Sequence, residues 1–397
     1  MKKAFKYIAL ALAIVMCIGM FSACGNNTTD DEGATEAVSV EVDGATFKIG
    51  GSGPLTGGAA VYGIAVKNGA QIAVDEINAA GGINGMQIEF NFQDDEHDTE
   101  KAVNAYNTLK DWGMQAMLGT VTTGPCLAVI SETAADNMFQ LTPSASAESV
   151  IVNDNCFQVC FTDPNQGSAS ATYIAENNIA TKVAVIYNSS DAYSSGIYAT
   201  FKAAAAENGL EIVATEAFTD DAKTDFSTQI NAAKSAGAEL VFLPIYAQEA
   251  SLILAQAASA EFDTIFFGCD GLDGILAIEG FDTTLAEGTM LLTPFAADAQ
   301  DDLTQSFVSK YVEQFGETPN QFAADAYDGI YIIKAAAEKA GVTADMSVAE
   351  IGDALKAAMT EITVDGLTGL SMTWTADGAV NKAPKAVKIV DGVYTAM

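Results

Sequence analysis

The sequence predicts an α/β protein of two doubly wound, parallel-sheet lobes joined by a three-segment hinge. Three observations carry that prediction. Short apolar strands alternate with helical periodicity along nearly the whole chain, as βαβ units do. The alternation occurs in two similar halves. The loops leading from strands into helices are made of glycine and small hydroxylated residues, as expected where an open α/β sheet leaves a crevice beyond the carboxyl ends of its strands.

The chain begins differently. Lys2, Lys3 and Lys6 precede an apolar run from Tyr7 to Met20, the charged-then-hydrophobic order of a secretory signal peptide. The run is short for a membrane span. It closes on Phe21-Ser22-Ala23-Cys24-Gly25, which resembles the lipobox at which a bacterial lipoprotein is cleaved and its cysteine acylated, with Phe21 where leucine is usual. Residues 1–23 are therefore expected to be a signal peptide and Cys24 a lipidation site. Residues 24–44, rich in Asn, Thr, Asp, Glu and Gly, bury too little to order themselves and read as a tether.

From Ala45 the units follow in order. Phe47 to Gly50 is a strand, SGPLTGGAAVYG a loop, and Val66, Ala70, Ala73 and Ile77 recur at helical spacing up to the stop Ala80-Gly81-Gly82. Ile88 to Phe92 alternates as a strand, which Asp94-Asp95 is expected to break. A second copy runs from Lys182 to Tyr187 through NSSDAYSSG to a helix ending near Asn208-Gly209, then the strand Leu210 to Val213. A further unit has a strand from Glu239 to Leu243, a helix around Ser251 to Ala260 and a strand from Thr264 to Gly268. Residues 45–163 and 294–383 are assigned to lobe I, 164–293 and 384–397 to lobe II. The chain then crosses between lobes near Asp163, Thr293 and Pro384, an arrangement that permits hinge closure.

The formal charge is -34, from 52 acidic against 18 basic residues, and all 18 are lysines because the chain has no arginine. Nucleic-acid binding is disfavoured, and the acidity suits the solubility of a surface protein. Cys126, Cys156, Cys160 and Cys269 form no CxxC pair. On one strand Cys156 and Cys160 would stand about 13 Å apart, beyond the roughly 7 Å limit for a disulfide.

The segments GPLTGGAAVYG, AVDEINAAGGINGMQIEF, the Asp94-Asp95 turn, LTPSAS and TDPNQG resemble the family of leucine/isoleucine/valine-binding proteins, the substrate-binding proteins of ABC importers with the type I periplasmic binding protein fold. The likeness covers nearly all of the chain after Ala45. It implies that Thr122-Thr123-Gly124 meets an amino acid's carboxylate, with Thr123 as hydroxyl donor, and that Ser144 acts through its carbonyl and Ser146 through hydroxyl and N–H. It puts Asp270 at the ammonium, Tyr193 and Tyr246 over the ligand, and Tyr62, Val121 and Phe322 around its side chain. It also implies permease subunits as partners, no cofactor, a monomer, and a place on the outer face of the cell membrane, or the periplasmic side where there is an outer membrane.

The residues themselves agree on one point. Without arginine, the usual bidentate clamp, a carboxylate must be met by hydroxyls, N–H groups or lysine. A Thr-Thr-Gly loop opening a helix offers the first two at the positive end of the helix dipole. Each residue also has a plainer role: Thr122 and Thr123 as N-cap, Ser144 and Ser146 as turn residues, Asp270 as a turn aspartate, Phe322 as core.

Other readings are a ligand-sensing module of the same fold, a binder of a short amide, urea-like or aromatic acid ligand, and a surface hydrolase. The hydrolase has little support. The sole histidine, His97, lies in Asp94-Asp95-Glu96-His97-Asp98, which reads as a solvated turn rather than the setting of a general base. HExxH, GxSxG and Walker loops are missing, and the acidic run lacks the D-x-D-x-D-G order of a calcium loop. No metal site is expected.

Overall fold

The computed structural model describes residues 44–397; the expected signal peptide, Cys24 and nearly all of the tether lie outside the described residues. The first sheet is built from β1 (Thr46–Gly53), β2 (Gln87–Asp94), β3 (Ala116–Gly119), β4 (Gln140–Thr142) and β5 (Cys156–Gln158), interleaved with α1 (Ala60–Ala79), α2 (Thr99–Trp112) and α3 (Thr123–Ala135). Its strands are all parallel, in the order β2-β1-β3-β4-β5.

After α4 (Asp163–Glu176) the same winding restarts. β6 (Lys182–Asn188), α5 (Ala192–Glu207), β7 (Glu211–Phe218), α6 (Ser227–Ser235), β8 (Leu240–Leu243), α7 (Ala247–Ser259), β9 (Ile265–Gly268) and β10 (Met290–Thr293) follow. Their order, β7-β6-β8-β9-β10, repeats that of the first sheet. Three helices, α8 (Asp302–Phe315), α9 (Gln321–Ala340) and α10 (Val348–Met359), then precede β11 (Lys385–Val390) and β12 (Val393–Ala396). β11 joins β10 and β12 joins β11 in antiparallel fashion, so the second sheet is parallel except at this edge, in keeping with the mostly parallel sheets expected.

The strand sequences explain their positions. β8 reads LVFL and is buried throughout, as a parallel strand covered on both faces must be. Phe242 on β8 stacks on Phe201 of α5 at 3.9 Å, and on the first sheet Phe139 stacks on Phe157 at 5.6 Å. Helix α1 lies against α9, and the crossing is tight: a Cβ at Gly69 would stand 2.0 Å from the carbonyl oxygen of Ala323.

Two local expectations change. β2 continues through Asp94 instead of stopping before it, because the Asp94 carboxylate takes up the loop after β1, accepting from the Leu55 N–H at 2.8 Å and the Thr56 hydroxyl at 2.7 Å. β7 extends to Phe218 rather than Val213, held in register by β6 across a bulge at Val183/Ala184. All four described cysteines are free and buried. Among the described residues no helix is long and apolar enough to cross a membrane.

Candidate functional site

In each sheet the winding reverses direction between two neighbouring strands, β1 and β3 in the first, β6 and β8 in the second. The loops beyond those strands flank a crevice in any doubly wound sheet. Here they meet around a narrow cavity lined by Tyr62, Val121, Thr122, Thr123, Ser144, Tyr193, Tyr246, Asp270, Gly271 and Phe322. Nine of those ten residues were singled out from the sequence. Tyr62, Val121, Thr122 and Thr123 follow β1 and β3, Ser144 follows β4, and Tyr193, Tyr246 and Asp270 follow β6, β8 and β9.

One wall is the start of α3. Thr122 occupies the N-cap position but makes no capping hydrogen bond with its side chain; its hydroxyl lies 2.9 Å from His97 Nδ1 instead. The first N–H groups of a helix lack intrahelical acceptors and carry its positive end, so they suit an anion. The Ser144 hydroxyl donates to the Val121 carbonyl at 2.6 Å, leaving its own carbonyl as the group it can offer.

The opposite wall is Asp270, which opens a single helical turn, Asp270–Leu272. Its Oδ1 accepts from the Tyr193 hydroxyl at 2.6 Å, its N–H donates to Gln166 at 3.2 Å, and its carbonyl accepts from Gln321 at 3.0 Å. Burial pushes the carboxyl up to about 7, with Tyr193 and the Gly271 N–H pulling it back. Its one carboxylate-assisting hydroxyl is neutral, and no lysine pairs with it among the described ion pairs. The wall is thus complementary to a cation that the protein does not supply.

Aromatic rings close the cavity. Tyr193 and Tyr246 stack at 4.8 Å, and Tyr62 packs against Tyr246 at 5.4 Å and edge-on against Phe322 at 4.8 Å. Tyr62 also joins the two sides by hydrogen bonds: its hydroxyl donates to the Gly271 carbonyl at 2.7 Å and accepts from the Ala247 N–H at 2.7 Å.

Ser146 does not line the cavity. It is fully buried behind it, its hydroxyl has no partner, and its carbonyl accepts from the Asp163 N–H at 2.9 Å. The physical reason is that the chain after Thr142 turns inward to meet the start of α4, taking Ser146 away from the surface that Ser144 reaches.

Sequence reasoning missed several neighbours. Gly271 lines the cavity, and only glycine fits there: a Cβ would stand 2.5 Å from the Tyr193 hydroxyl and 2.7 Å from the Ile245 carbonyl. Asp163 is buried with neither carboxyl oxygen paired, and Gln166 Nε2 nearby is also unpaired. Burial, with Asp270 and Asp191 close by, drives the Asp163 carboxyl well above the usual carboxylate range. The TDPNQG motif was the available signal for both. His97, read as part of a solvated turn, is instead half-buried with its ring edge-on to Tyr246 at 5.3 Å; the turn folds inward because Asp94 and Asp95 spend their carboxylates on backbone N–H groups.

The buried acids give a pH signature. Asp95, Asp270 and Asp273 are each pushed up to about 7, foremost by burial. A carboxyl whose folded value exceeds its unfolded value near 3.8 binds more protons when folded. It therefore adds stability at low pH and loses it as pH rises through 7. The ligand-free protein is expected to unfold a few degrees higher at pH 6 than at pH 8, from about 1 kcal/mol per group. A melting temperature that stays level or falls over that range would contradict it.

Comparison with known proteins gives a consistent picture. Residues 46–392 match a family model described as periplasmic binding protein. The chain is 33% identical over 308 residues to the Leu/Ile/Val-binding protein homolog 3 of Brucella melitensis, covering 76% of this chain and 81% of that one. It is 30% identical over 312 residues to the leucine-, isoleucine-, valine-, threonine- and alanine-binding protein of Pseudomonas aeruginosa, covering 77% and 81%. Its structure resembles that of a branched-chain amino acid transporter substrate binding protein from Streptococcus pneumoniae in complex with isoleucine. The TM-score is 0.81 and the identity 29%, over 88% of this chain and 98% of that one.

Proposed function

This chain belongs to the periplasmic binding protein family, and from that premise we propose that it is the substrate-binding protein of an ABC importer, capturing an aliphatic amino acid by closure of two lobes. The observation that carries the reading is the polarity of the cavity. Free helix N–H groups and threonine hydroxyls stand on one wall and the buried Asp270 carboxylate on the other, with hydrophobic and aromatic side chains between. A zwitterion matches both walls at once.

In this reading the carboxylate of the ligand meets the start of α3, with Thr123 as hydroxyl donor, and its ammonium meets Asp270. The rings of Tyr193 and Tyr246 cover it, adding cation-π attraction of about 0.5 to 2 kcal/mol. Tyr62, Val121 and Phe322 surround the side chain. Lobe I takes residues 45–163 and 294–383 and lobe II the rest of the body; the membership of β1 to β5 in one sheet and β6 to β12 in the other supports that division. Acylated Cys24 would hold the protein at the outer face of the membrane, beside the permease it serves. The transporter and amino-acid names of the relatives support this use.

A thermal-shift screen of the mature protein against amino acids, amides and aromatic acids tests the reading. A ligand at 100 times its dissociation constant adds about 2.7 kcal/mol of stability. Leucine, isoleucine or valine is expected to raise the melting temperature and to form a stoichiometric complex. A screen in which only amides or aromatic acids do so, or in which the hit is hydrolysed, would overturn it.

A further inference from the structure

The turn after β2 is built to aim one side chain. Glu96 and His97 both have left-handed backbones, with φ of 51° and 59°, a region that residues with side chains rarely enter. They are held there by carboxylates: Asp94 Oδ1 accepts the Glu96 N–H at 2.9 Å and Asp95 Oδ1 the His97 N–H at 3.0 Å. The result places the imidazole between the two walls of the site. Its Nδ1 lies 2.9 Å from the Thr122 hydroxyl, which follows β3, and its ring meets Tyr246, which follows β8, at 5.3 Å and 79°.

We propose that His97 is a positioning residue for ligand capture, and that the cleft closes fully only on a neutral imidazole. The inference rests on the amino-acid-binding reading above. With Nδ1–H donating to Thr122, the hydroxyl hydrogen of Thr122 is free for an acceptor in the cavity that Thr122 lines.

The groups facing the ring come from both sides. Asp95 and Asp98 lie on its own turn; from the second half come Tyr246, Asp220 and Lys223, and Lys223 is itself paired with Asp220 at 3.8 Å and Glu249 at 3.5 Å. Burial first, and Lys223 second, hold the imidazole below its ordinary value, against the opposing pull of Asp220 and Asp98. When the walls part, Tyr246 and Lys223 withdraw and the ring regains water, with a value near 6.5. Closure at lower pH must then expel a proton. Capture is strong above about pH 6.5 and weakens as pH falls, so the device would favour solute release in acid surroundings.

His97 is the only histidine in the sequence, so its ring C2–H resonance is unambiguous in a protein purified without a histidine tag. Titrated with and without saturating isoleucine, the imidazole is expected to take its proton at a lower pH in the complex. From pH 7.5 to 5.5 the dissociation constant of isoleucine should rise several-fold more, up to about tenfold, in the parent than in His97→Asn. Asp270 titrates in both and cancels from that ratio. At pH 7.5, His97→Ala should weaken binding about fivefold, and His97→Asn, whose amide reaches where Nδ1 does, should recover most of the loss. Isoleucine binding at pH 7.5 with an unmoved imidazole titration, or with identical pH profiles in parent and His97→Asn, overturns the role of His97 alone. No isoleucine binding by the parent overturns the amino-acid reading and this inference together.

Discussion

Asp270→Asn is expected to lower affinity for the captured amino acid by roughly two to three and a half decades while leaving the fold intact. The carboxylate is 3% exposed, and its nearest partners, the Tyr193 hydroxyl at 2.6 Å and the Gln166 side chain at 3.2 Å from its N–H, are neutral. An ammonium brought beside it is desolvated and has that one charge to meet. Removing one member of a desolvated pair costs about 3 to 5 kcal/mol, which is the stated loss in affinity. Asparagine keeps the shape and can still accept from Tyr193, so stability should change little. Thr123→Ala removes one hydroxyl among several donors and should cost about 1 to 2 kcal/mol. Calorimetry showing Asp270→Asn as tight as the parent would remove the ammonium assignment and bring a neutral amide or acid ligand forward.

The division of the site into two walls was legible in the sequence because each wall is local. A Thr-Thr-Gly run opening α3 and an aspartate after β9 declare their chemistry within a few residues, and apolar strands such as LVFL fix which ends of the sheet those segments occupy. What was not legible depends on distant partners. Gln166 matters because its side chain meets the N–H of Asp270, 104 residues away, and Asp163 because the fold strips both its oxygens of partners. His97 sits in a run whose local polarity suggests solvent, yet three neighbouring carboxylates spend themselves on backbone N–H groups, and the ring turns inward. Ser144 and Ser146 look alike in sequence; only the inward path of the chain separates the one that lines the cavity from the one behind it. The antiparallel hairpin of β11 and β12 is hard to read in the sequence because only the two-residue turn Asp391-Gly392 separates its short strands.

Lys382→Met is expected to lower stability by about 3 to 5 kcal/mol. The lysine side chain is fully buried, with Nζ 2.9 Å from Asp325 Oδ1 and 2.6 Å from the Thr368 hydroxyl. Asp328, also buried, is satisfied by the N–H groups of Leu367 and Thr368 at 2.8 and 2.9 Å and by the Thr368 hydroxyl at 2.6 Å. Burial raises both carboxyls, and Lys382 is the leading influence that lowers them. Methionine fills much of the volume but leaves two buried carboxylates without a cation. Their protonation then becomes the cheaper solution, so the deficit should shrink as pH falls from 8 to 5, and Asp325→Asn in the same chain should restore part of it. The cluster ties the segment leading into β11 to α9, whose first turn carries Phe322 and the Gln321 amide that donates to Asp270. Loss of ligand affinity should nevertheless be smaller than the loss of stability, because no atom of Lys382 lines the cavity. A urea unfolding midpoint unchanged by Lys382→Met at pH 8 would show that the cluster does not hold α9 in place, and the position of Phe322 would then need another cause.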